Sequence, residues 1–350
     1  MDTSASGRPA PAPSPDDIRA LTELVGGYRI SQAIHVVATL GIADLLSSGP
    51  RGVDAIAQET GSHEPSLFRL LRFLSGVGLF EEVTPRQFAL TSRGAGLRTD
   101  IPRTVQPTAA YVGRDVFWQA WGNLGHTVMT GETAFSHTHG SGLFELLAIR
   151  PDVAATFNRA MTSNTANSGN AIAEVYDFSS IETIVDIGGG HGQLIATILA
   201  AHPLMRGILF DRPEVVSGAG PTLQTAGVAD RCQVIGGDFF DSVPMGADAY
   251  VLRQIIHDWD DADALRILEL CRAAIRPSSR VLIVERVISN DYHHSMPELQ
   301  LDMQMMVIAG GIQRTEDAYR SLYQRSGFEM RSIVPLHDAA HYAIYEGVPI

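Results

Sequence analysis

The chain of 350 residues has room for one large domain and a smaller one, and its 45% hydrophobic residues predict an ample core. A net charge of −13 disfavours nucleic acid as the main partner, because binding to phosphates requires a basic face. No apolar stretch approaches the roughly 20 residues of a membrane span, so we expect a soluble, cytoplasmic protein without a membrane partner.

The N-terminal part predicts a tail followed by a small helical domain. Residues 1–16 are rich in Pro, Ser and Ala and lack the apolar core of a signal peptide, so we expect a disordered tail. Residues 17–104 show helical spacing of apolar residues and then two short strands around "TPRQ", which is a winged-helix pattern. Its second helix, "HEPSLFRLLRFLSG", offers only Arg69 and Arg72 as basic residues. We therefore expect a dimerisation domain, with a ligand-sensing transcriptional regulator as the alternative.

The pattern of apolar residues changes after residue 175. Residues 105–175 are helical and rich in aromatic residues, and we expect this linker to contribute to a substrate pocket. From 176 to 350, apolar β runs such as "TIVDIGGG", "GILFD" and "RVLIVERVI" are separated by helix-length segments. This alternation predicts an α/β domain with a Rossmann-like, doubly wound parallel sheet.

A glycine-rich turn follows the first of these strands in "VDIGGGHG". The dinucleotide fingerprint GxGxxG would require a glycine at position 193, which is Gln193. Gly188 and Gly190, with Asp186 on the strand before them, suit a ligand without a pyrophosphate, such as S-adenosylmethionine. On its own the turn is weak evidence, because an ordinary loop can have the same composition.

Acidic residues also end the next two β runs. Asp211 closes "GILFD", 19 residues after Gly192, where a carboxylate can accept hydrogen bonds from ribose hydroxyls. Asp238 and Phe239 follow in "GGDFF", where they could contact the edge and face of an adenine. Acids at three successive strand ends predict a nucleoside site.

The fourth apolar run, "VLRQIIHDWDD", is interpreted as a strand that presents His257 directly at its carboxyl end. Asp260, Asp261 and Asp263 precede a helical pattern and fit its N-cap and first turn. A histidine beside a nucleoside site is a candidate general base.

The segments "VDIGGGHG", "FDRPEV", "GGDFFDSVP", "VLRQIIHDWDD", "VLIVERVI" and "RTEDAYRSLYQRSGF" occur in an order that resembles class I S-adenosylmethionine-dependent O-methyltransferases of plant phenylpropanoid and bacterial natural-product metabolism. The N-terminal domain resembles the dimerisation domain of that family. The resemblance implies a homodimer that binds S-adenosylmethionine, releases S-adenosylhomocysteine and needs no metal ion.

The resemblance, together with the glycine turn and the aromatic and methionine content of the helical segments, predicts roles for individual residues. His257 and Glu285 would be catalytic. The residues expected to bind the cofactor are Asp186, Gly188, Gly190, Asp211, Asp238, Phe239, Arg253 and Thr165. The residues expected to bind the substrate are Trp118, Trp121, Phe157, Met161, Asp258, Met303, Met306 and Gln313. The family often has a glutamate where this chain has Gln313, so one negative charge near the histidine is missing.

The function expected from the sequence is methylation of a phenolic or enolic hydroxyl of an aromatic secondary metabolite, with His257 as the general base. A phenol has a pKa near 10 and is about one part in a thousand ionised at pH 7, so the acceptor needs a base. Because Gln313 departs from the family pattern, N- or C-methylation or a non-methylating activity on a similar substrate stays open.

Overall fold

The computed structural model describes residues 11–289, 295–336 and 342–350, but only the backbone of residues 166–168. Residues 1–10, the first part of the predicted tail, lie outside the described residues. By its internal contacts the chain divides into two compact units, Met1–Asp100 and Ile101–Ile350. Among the described residues, no helix is long and apolar enough to cross a membrane.

The first unit contains the expected helices and small sheet. Its elements are α1 (Pro15–Thr39), α2 (Ile42–Leu45), β1 (Arg51–Gly52), α3 (Val53–Thr60), α4 (Glu64–Gly76), β2 (Phe80–Thr84) and β3 (Gln87–Leu90), followed by a 3₁₀ turn at Gly94–Leu97. The strands form an antiparallel sheet in the order β1-β3-β2. Ser14 and Asp17 form a capping box at the start of α1, so this helix begins inside the predicted tail.

The segment after the first unit is helical, as expected. Its helices are α5 (Gln106–Val112), α6 (Asp115–Gly122), α7 (Leu124–Thr130), α8 (Ala134–His139), α9 (Leu143–Ile149) and α10 (Pro151–Val175). Phe117 of α6 and Phe135 of α8 are fully buried in one apolar cluster with Val307 and Ile308 from near the end of the chain. These helices therefore pack against a segment almost 200 residues away in sequence.

The predicted parallel sheet is present and is extended by two strands. The strands are β4 (Thr183–Ile187), β5 (Arg206–Asp211), β6 (Cys232–Gly236), β7 (Ala249–Arg253), β8 (Arg280–Arg286), β9 (Phe328–Pro335) and β10 (Tyr342–Pro349). Their order is β6-β5-β4-β7-β8-β10-β9. The first five are parallel, whereas β10 runs antiparallel to β8 and to β9. The β runs read from the sequence are the parallel strands; β9 and β10 were not predicted.

Helices cover both faces of the sheet, which confirms the doubly wound architecture. They are α11 (Gln193–Ala201), α12 (Pro213–Val216), α13 (Gly220–Thr225), α14 (Asp261–Ala274), α15 (Met296–Gln304) and α16 (Glu316–Arg325). Ile184 packs with α10 and α11 in one buried cluster, whereas the adjacent Val185 packs with α14 and α16 in another. Because successive residues of a strand point to opposite faces, both faces of this sheet are apolar and buried.

Candidate active site

The turn after β4 contains three glycines with positive φ angles. Gly188, Gly190 and Gly192 have φ angles of 67°, 60° and 77°, a conformation that glycine adopts without strain. A Cβ atom on Gly188 would lie 2.4 Å from Cδ1 of Ile255, whereas a Cβ atom on Gly190 would meet nothing within 4 Å. The turn is thus packed on one side and open at Gly190, as close approach of a ligand requires.

Asp211 at the end of β5 is joined to this turn. Its Oδ2 accepts a hydrogen bond from the Gly190 amide at 2.8 Å, and its Oδ1 accepts one from the Arg212 amide at 2.7 Å. Burial raises the pKa of Asp211, although these two amides oppose the shift by stabilising its charged form. The structure therefore brings together the glycine turn and the acid that were predicted to form a nucleoside site.

Asp186 lies beneath the same turn and is 1% exposed. Its Oδ2 has no hydrogen bond from the described residues. Burial, reinforced by the negative charge of Asp211, raises the pKa of Asp186 to about 7, and Arg253 opposes this shift. A buried carboxyl group with an unsatisfied oxygen beside an open glycine turn fits a ligand with positive charge, and S-adenosylmethionine carries both an ammonium and a sulfonium group.

Phe239, after β6, forms an apolar wall beside the turn. Its ring lies 3.7 Å from the Cβ position of Gly188 and 6.0 Å, edge to face, from the ring of Trp259. Trp259 in turn stacks on Phe144, with ring centroids 5.5 Å apart. The preceding Asp238 accepts a hydrogen bond from the Phe240 amide at 2.8 Å. Trp259 and Phe144 were missed from the sequence, although Trp259 stands two residues after His257.

Arg253 and Thr165, both expected near the cofactor, contact each other. Nη1 of Arg253 donates to Oγ1 of Thr165 at 2.9 Å, and Nη2 donates to the carbonyl of Asn164 at 3.3 Å. The guanidinium of Arg253 also lies 5.0 Å from the ring centre of Tyr342. These contacts connect the end of β7 to the long helix α10.

His257 lies on a short 3₁₀ turn, Ile256–Asp258, and not on β7 itself. The strand ends at Arg253, so the prediction that it presents the histidine directly was wrong. A positive φ of 54° at Gln254 breaks the extended conformation and starts the turn. The chain thereby bends His257 towards β8, where Glu285 is completely buried.

The imidazole of His257 is 4% exposed and has different surroundings at its two nitrogens. Nδ1 lies 3.0 Å from Oε2 of Glu285 and 3.2 Å from Oε1 of Gln313. Oε1 of Glu285 also accepts a hydrogen bond from the backbone amide of His257 at 3.3 Å. Nε2 lies 3.5 Å from Oδ1 of Asp258. Because Nδ1 faces two acceptors, it keeps its proton, and Nε2 is the nitrogen at which a proton can be exchanged.

The charge of His257 depends on a balance between burial and its acidic neighbours. Burial alone would lower the pKa of His257, but Glu285 and Asp258 outweigh it and raise the pKa to about 9. Burial has the opposite effect on Asp258, since it disfavours the charged carboxylate and raises the pKa to about 6, although the nearby histidine opposes this shift. In the protein without ligand, the imidazole therefore favours its charged form at neutral pH.

A loop before α16 holds the 3₁₀ turn in place. Arg314, 3% exposed, donates to the carbonyls of Ile256 and Trp259, each at 2.9 Å, and the Ile312 amide donates to the carbonyl of His257 at 2.9 Å. A Cβ atom on Gly311 would lie 2.0 Å from the carbonyl oxygen of His257. Gly311 and Arg314 were not predicted as part of the site, although Arg314 begins the segment "RTEDAYRSLYQRSGF" on which the family resemblance rests.

Four of the expected substrate residues gather around one buried cluster. Trp121, Phe157, Met161 and Met306 pack against the cluster that contains Tyr111 and Phe117. Trp121 donates from Nε1 to Oε1 of Gln304 at 2.8 Å, and Gln304 lies 3.5 Å from the hydroxyl of Tyr111. The cluster borders the histidine site, because the segment that contributes Val307 and Ile308 to it contacts the turn Ile256–Asp258. Tyr111 and Gln304 were missed, because nothing local in the sequence separates them from ordinary helix residues.

Two expected substrate residues lie outside this cluster. Trp118 and Met303 are partly buried, but neither belongs to the apolar cluster around Tyr111. Trp118 precedes Trp121 by three residues on α6, and Met303 precedes Met306 by three residues. Trp118 and Met303 therefore do not pack against the cluster that Trp121, Phe157, Met161 and Met306 border.

Elsewhere in the second unit, a surface cavity of about 650 Å³ lies between α10, α11 and α13. Small side chains such as Ala173, Ala196 and Ala200 form much of its lining, and none of the predicted site residues borders it. Within the described ranges, no group of three or more His, Cys, Asp or Glu residues is arranged to hold a metal ion.

Comparison with known proteins assigns both units to families. Residues 121–329 match the O-methyltransferase domain, and residues 22–99 match the O-methyltransferase dimerisation domain. The chain is 39% identical over 330 residues to the phenazine O-methyltransferase of Lysobacter antibioticus, which covers 94% of this chain and 96% of that protein. It is 35% identical over 338 residues to the 8-amino-8-demethylriboflavin N,N-dimethyltransferase of Streptomyces davaonensis, covering 95% and 96%.

A solved structure supports the same relationship. The chain is similar to an O-methyltransferase from neocarzinostatin biosynthesis in complex with S-adenosylmethionine and 2-hydroxy-5-methyl naphthoic acid. The TM-score is 0.80 at 30% identity, and the match covers 92% of this chain and 96% of that chain. The similarity therefore extends over both units.

Proposed function

The chain belongs to the family of S-adenosylmethionine-dependent O-methyltransferases of aromatic natural-product biosynthesis, and on this basis we propose that it methylates a phenolic or enolic hydroxyl with His257 as the general base. The observation that carries the proposal is the buried imidazole, whose Nδ1 faces Glu285 and Gln313 and whose Nε2 faces Asp258. The cofactor supplies the methyl group when it is bound.

His257 and its neighbour Glu285 have different roles in the deprotonation of the acceptor. Nε2 takes the proton of the acceptor hydroxyl, so that the oxygen would be ready to receive the methyl group that bound S-adenosylmethionine supplies. Glu285 stabilises the imidazolium that results, because its buried carboxylate lies 3.0 Å from Nδ1. Proton transfer of this kind typically contributes roughly 10²- to 10⁴-fold to the rate.

The same reasoning sets the expected pH dependence. His257 acts only in its neutral form, and the pKa of its imidazole is raised to about 9. The value of kcat/KM therefore rises with pH and levels off above about pH 9 in this proposal, because the free enzyme must lose the proton first.

Asp258 and the aromatic cluster are proposed to hold the acceptor. The carboxyl group of Asp258 lies on the Nε2 side of the histidine and can accept a hydrogen bond from a donor next to the reacting hydroxyl. Trp121, Phe157 and Met306 border the apolar cluster beside it, and such side chains suit a flat aromatic ring. The neocarzinostatin enzyme was solved in complex with such a flat aromatic compound, 2-hydroxy-5-methyl naphthoic acid.

The proposal is tested by mass spectrometry. Wild-type protein and His257→Gln are incubated with S-adenosylmethionine and a library of phenols, quinols, aminophenols and hydroxylated heterocycles. We expect O-methylated products from the wild type and a loss of roughly 10²- to 10⁴-fold in the variant. Binding of S-adenosylhomocysteine, measured by calorimetry, should be unchanged in His257→Gln and serves as the control for folding.

Three other outcomes contradict part of the proposal. Methylation that persists in His257→Gln excludes the histidine as the base. Products methylated on nitrogen would place the chain with its relative that is named as an N,N-dimethyltransferase. Tight binding of S-adenosylhomocysteine with no methylated product from any hydroxylated compound would contradict the assigned acceptor class.

A further inference from the structure

Gln313 is a buried amide whose two ends are both engaged. It is 3% exposed, and its Oε1 lies 3.2 Å from Nδ1 of His257. Its Nε2 donates a hydrogen bond to the backbone carbonyl of Arg286, directly after Glu285 on β8. Its backbone amide donates to Oδ1 of Asp302 at 2.9 Å. The side chain therefore bridges the histidine turn to β8 and is held from behind by α15.

The Arg286 carbonyl determines which way the amide points. A carbonyl oxygen only accepts hydrogen bonds, so the nitrogen of Gln313 must face it and the oxygen must face His257. A glutamate at this position would place a carboxylate oxygen against the Arg286 carbonyl, where two acceptors repel each other. The surroundings of residue 313 therefore favour an amide over an acid.

Gln313 and Glu285 act differently on the same nitrogen. Oε2 of Glu285 is near Nδ1, at 3.0 Å, but it makes no aligned hydrogen bond with any described residue. The oxygen of Gln313 meets the hydrogen-bond geometry at 3.2 Å. Glu285 thus supplies negative charge, and Gln313 supplies the direction in which the Nδ1–H bond points.

We propose that Gln313 is a positioning residue that orients the Nδ1–H bond of His257 and leaves Glu285 as the one carboxylate facing that nitrogen. With a second carboxylate there, the imidazolium would be more stable and the base would be released only at a higher pH. Gln313 had been expected to touch the substrate, and the proposal assigns it to the histidine instead. The consequence for turnover rests on the proposed function, whereas the titration of His257 does not.

The test measures the titration of His257 directly by NMR of protein labelled with ¹³C at the histidine Cε1 atoms. The His257 signal is assigned by its absence in His257→Asn. In Gln313→Glu we expect the midpoint to rise by about one pH unit or more, and in Glu285→Gln to fall by a similar amount. The double variant Glu285→Gln/Gln313→Glu exchanges amide and acid, and its midpoint should lie near that of the wild type.

The matched control is Gln324→Glu, the same chemical change at an exposed position of α16. Its midpoint should equal that of the wild type. The other charged or titratable groups around the turn are unchanged in all variants, namely Asp258, Arg286, Asp302, Arg314 and Tyr319. Binding of S-adenosylhomocysteine reports whether each variant is folded. Should Gln313→Glu not fold, Gln313→Leu and Glu285→Gln still test the proposal.

In Gln313→Leu we expect kcat to fall by about tenfold or more with KM little changed, because the ring loses its orienting hydrogen bond. A titration midpoint of His257 that is unchanged in Gln313→Glu, or in Glu285→Gln, overturns the proposal that Glu285 is the one carboxylate facing Nδ1. Full activity in Gln313→Leu overturns the positioning role. If no variant or wild type methylates any hydroxylated compound, the proposed function fails, but the titration result still stands by itself.

Discussion

Asp186 and Glu285 are both almost completely buried acids of the second unit, but their surroundings differ. Glu285 lies 3.0 Å from a histidine that its charge stabilises. Asp186 has an oxygen without a hydrogen bond from the described residues and faces the additional negative charge of Asp211. A buried charge without a close partner costs stability, so Asp186 represents a cost in the protein without ligand.

This difference predicts a pH-dependent effect of Asp186→Asn on stability. The pKa of Asp186 is raised to about 7 in the folded protein, compared with 3.8 ordinarily. Protonated Asp186 is therefore compatible with its buried position, and stability is highest with respect to this group below about pH 4. This stability is lost as the pH rises through 7, because the buried carboxyl group then ionises. We expect Asp186→Asn to be more stable than the wild type by several kcal/mol at pH 8 and by much less at pH 4.5.

Urea unfolding at pH 8 and at pH 4.5 measures the difference in free energy of unfolding between Asp186→Asn and the wild type. The control is Asp241→Asn, which changes an exposed acid of the same unit. The variant should also bind S-adenosylmethionine more weakly by calorimetry at pH 8, because the ionised carboxylate is proposed to meet the positive end of the ligand. A difference in free energy of unfolding that is the same at both pH values would show that Asp186 is not the group that titrates.

At the scale of elements, the site depends on the contact between the 3₁₀ turn of His257 and the loop that ends at Thr315. The Ile312 amide and the guanidinium of Arg314 together donate to three carbonyls of the turn region, those of Ile256, His257 and Trp259. Gly311 allows the two backbones to approach, because any Cβ atom there would collide with the His257 carbonyl at 2.0 Å. The position of the histidine is thus set by a loop 54 residues later in sequence.

We therefore expect Gly311→Ala to lower kcat by about 10²-fold, because a displacement of about 1 Å at a catalytic group is sufficient for such a loss. Steady-state kinetics with any acceptor found in the library measures this effect. Circular dichroism and binding of S-adenosylhomocysteine should stay as in the wild type. Gly125→Ala on α7 is the matched control, since a Cβ atom there meets nothing within 4 Å. Unchanged kinetics in Gly311→Ala would mean that the loop can retreat without moving His257.

At the scale of the whole molecule, α1 carries apolar side chains that the single chain does not cover. Leu24 is 77% exposed and Val25 71%, and they continue a stripe with Ile18, Leu21 and Tyr28 on the same helix. Contiguous apolar surface of this kind marks an interaction site. Residues 22–99 match a dimerisation domain, so we propose that a second copy of the chain covers this stripe in a homodimer.

The double variant Leu21→Glu/Leu24→Glu should shift the protein from dimer to monomer, because burying two carboxylates in an apolar interface is unfavourable. Analytical ultracentrifugation over a range of concentrations measures the change. Val83→Glu on β2, another exposed apolar position, should leave the dimer intact. A variant that stays dimeric would place the interface elsewhere, and a wild type that sediments as a monomer would contradict the homodimer.

The sequence by itself determined the fold class, and it predicted a site at the carboxyl ends of the parallel strands. A parallel strand buried on both faces is continuously apolar, so β4, β5, β7 and β8 could be predicted from their apolar runs. The acids and glycines that follow these runs then indicated the candidate site. Strand β9 alternates buried and more exposed residues and carries charges, and β10 joins it in antiparallel pairing. Strand β10 is buried over residues 344–347, but Glu346 and Gly347 interrupt its apolar run, and both strands were overlooked.

Only the tertiary structure decided how the groups around His257 are arranged. Glu285 and Gln313 lie 28 and 56 residues away along the chain, and local patterns carry no information on which atom of the imidazole each one meets. The same holds for the selection among Trp118, Trp121, Met303 and Met306, since the two tryptophans are three residues apart on α6 and the two methionines are three residues apart across the end of α15. Trp121 and Met306 pack against the cluster and Trp118 and Met303 do not, and this selection depends on contacts with distant residues such as Phe135 and Val307.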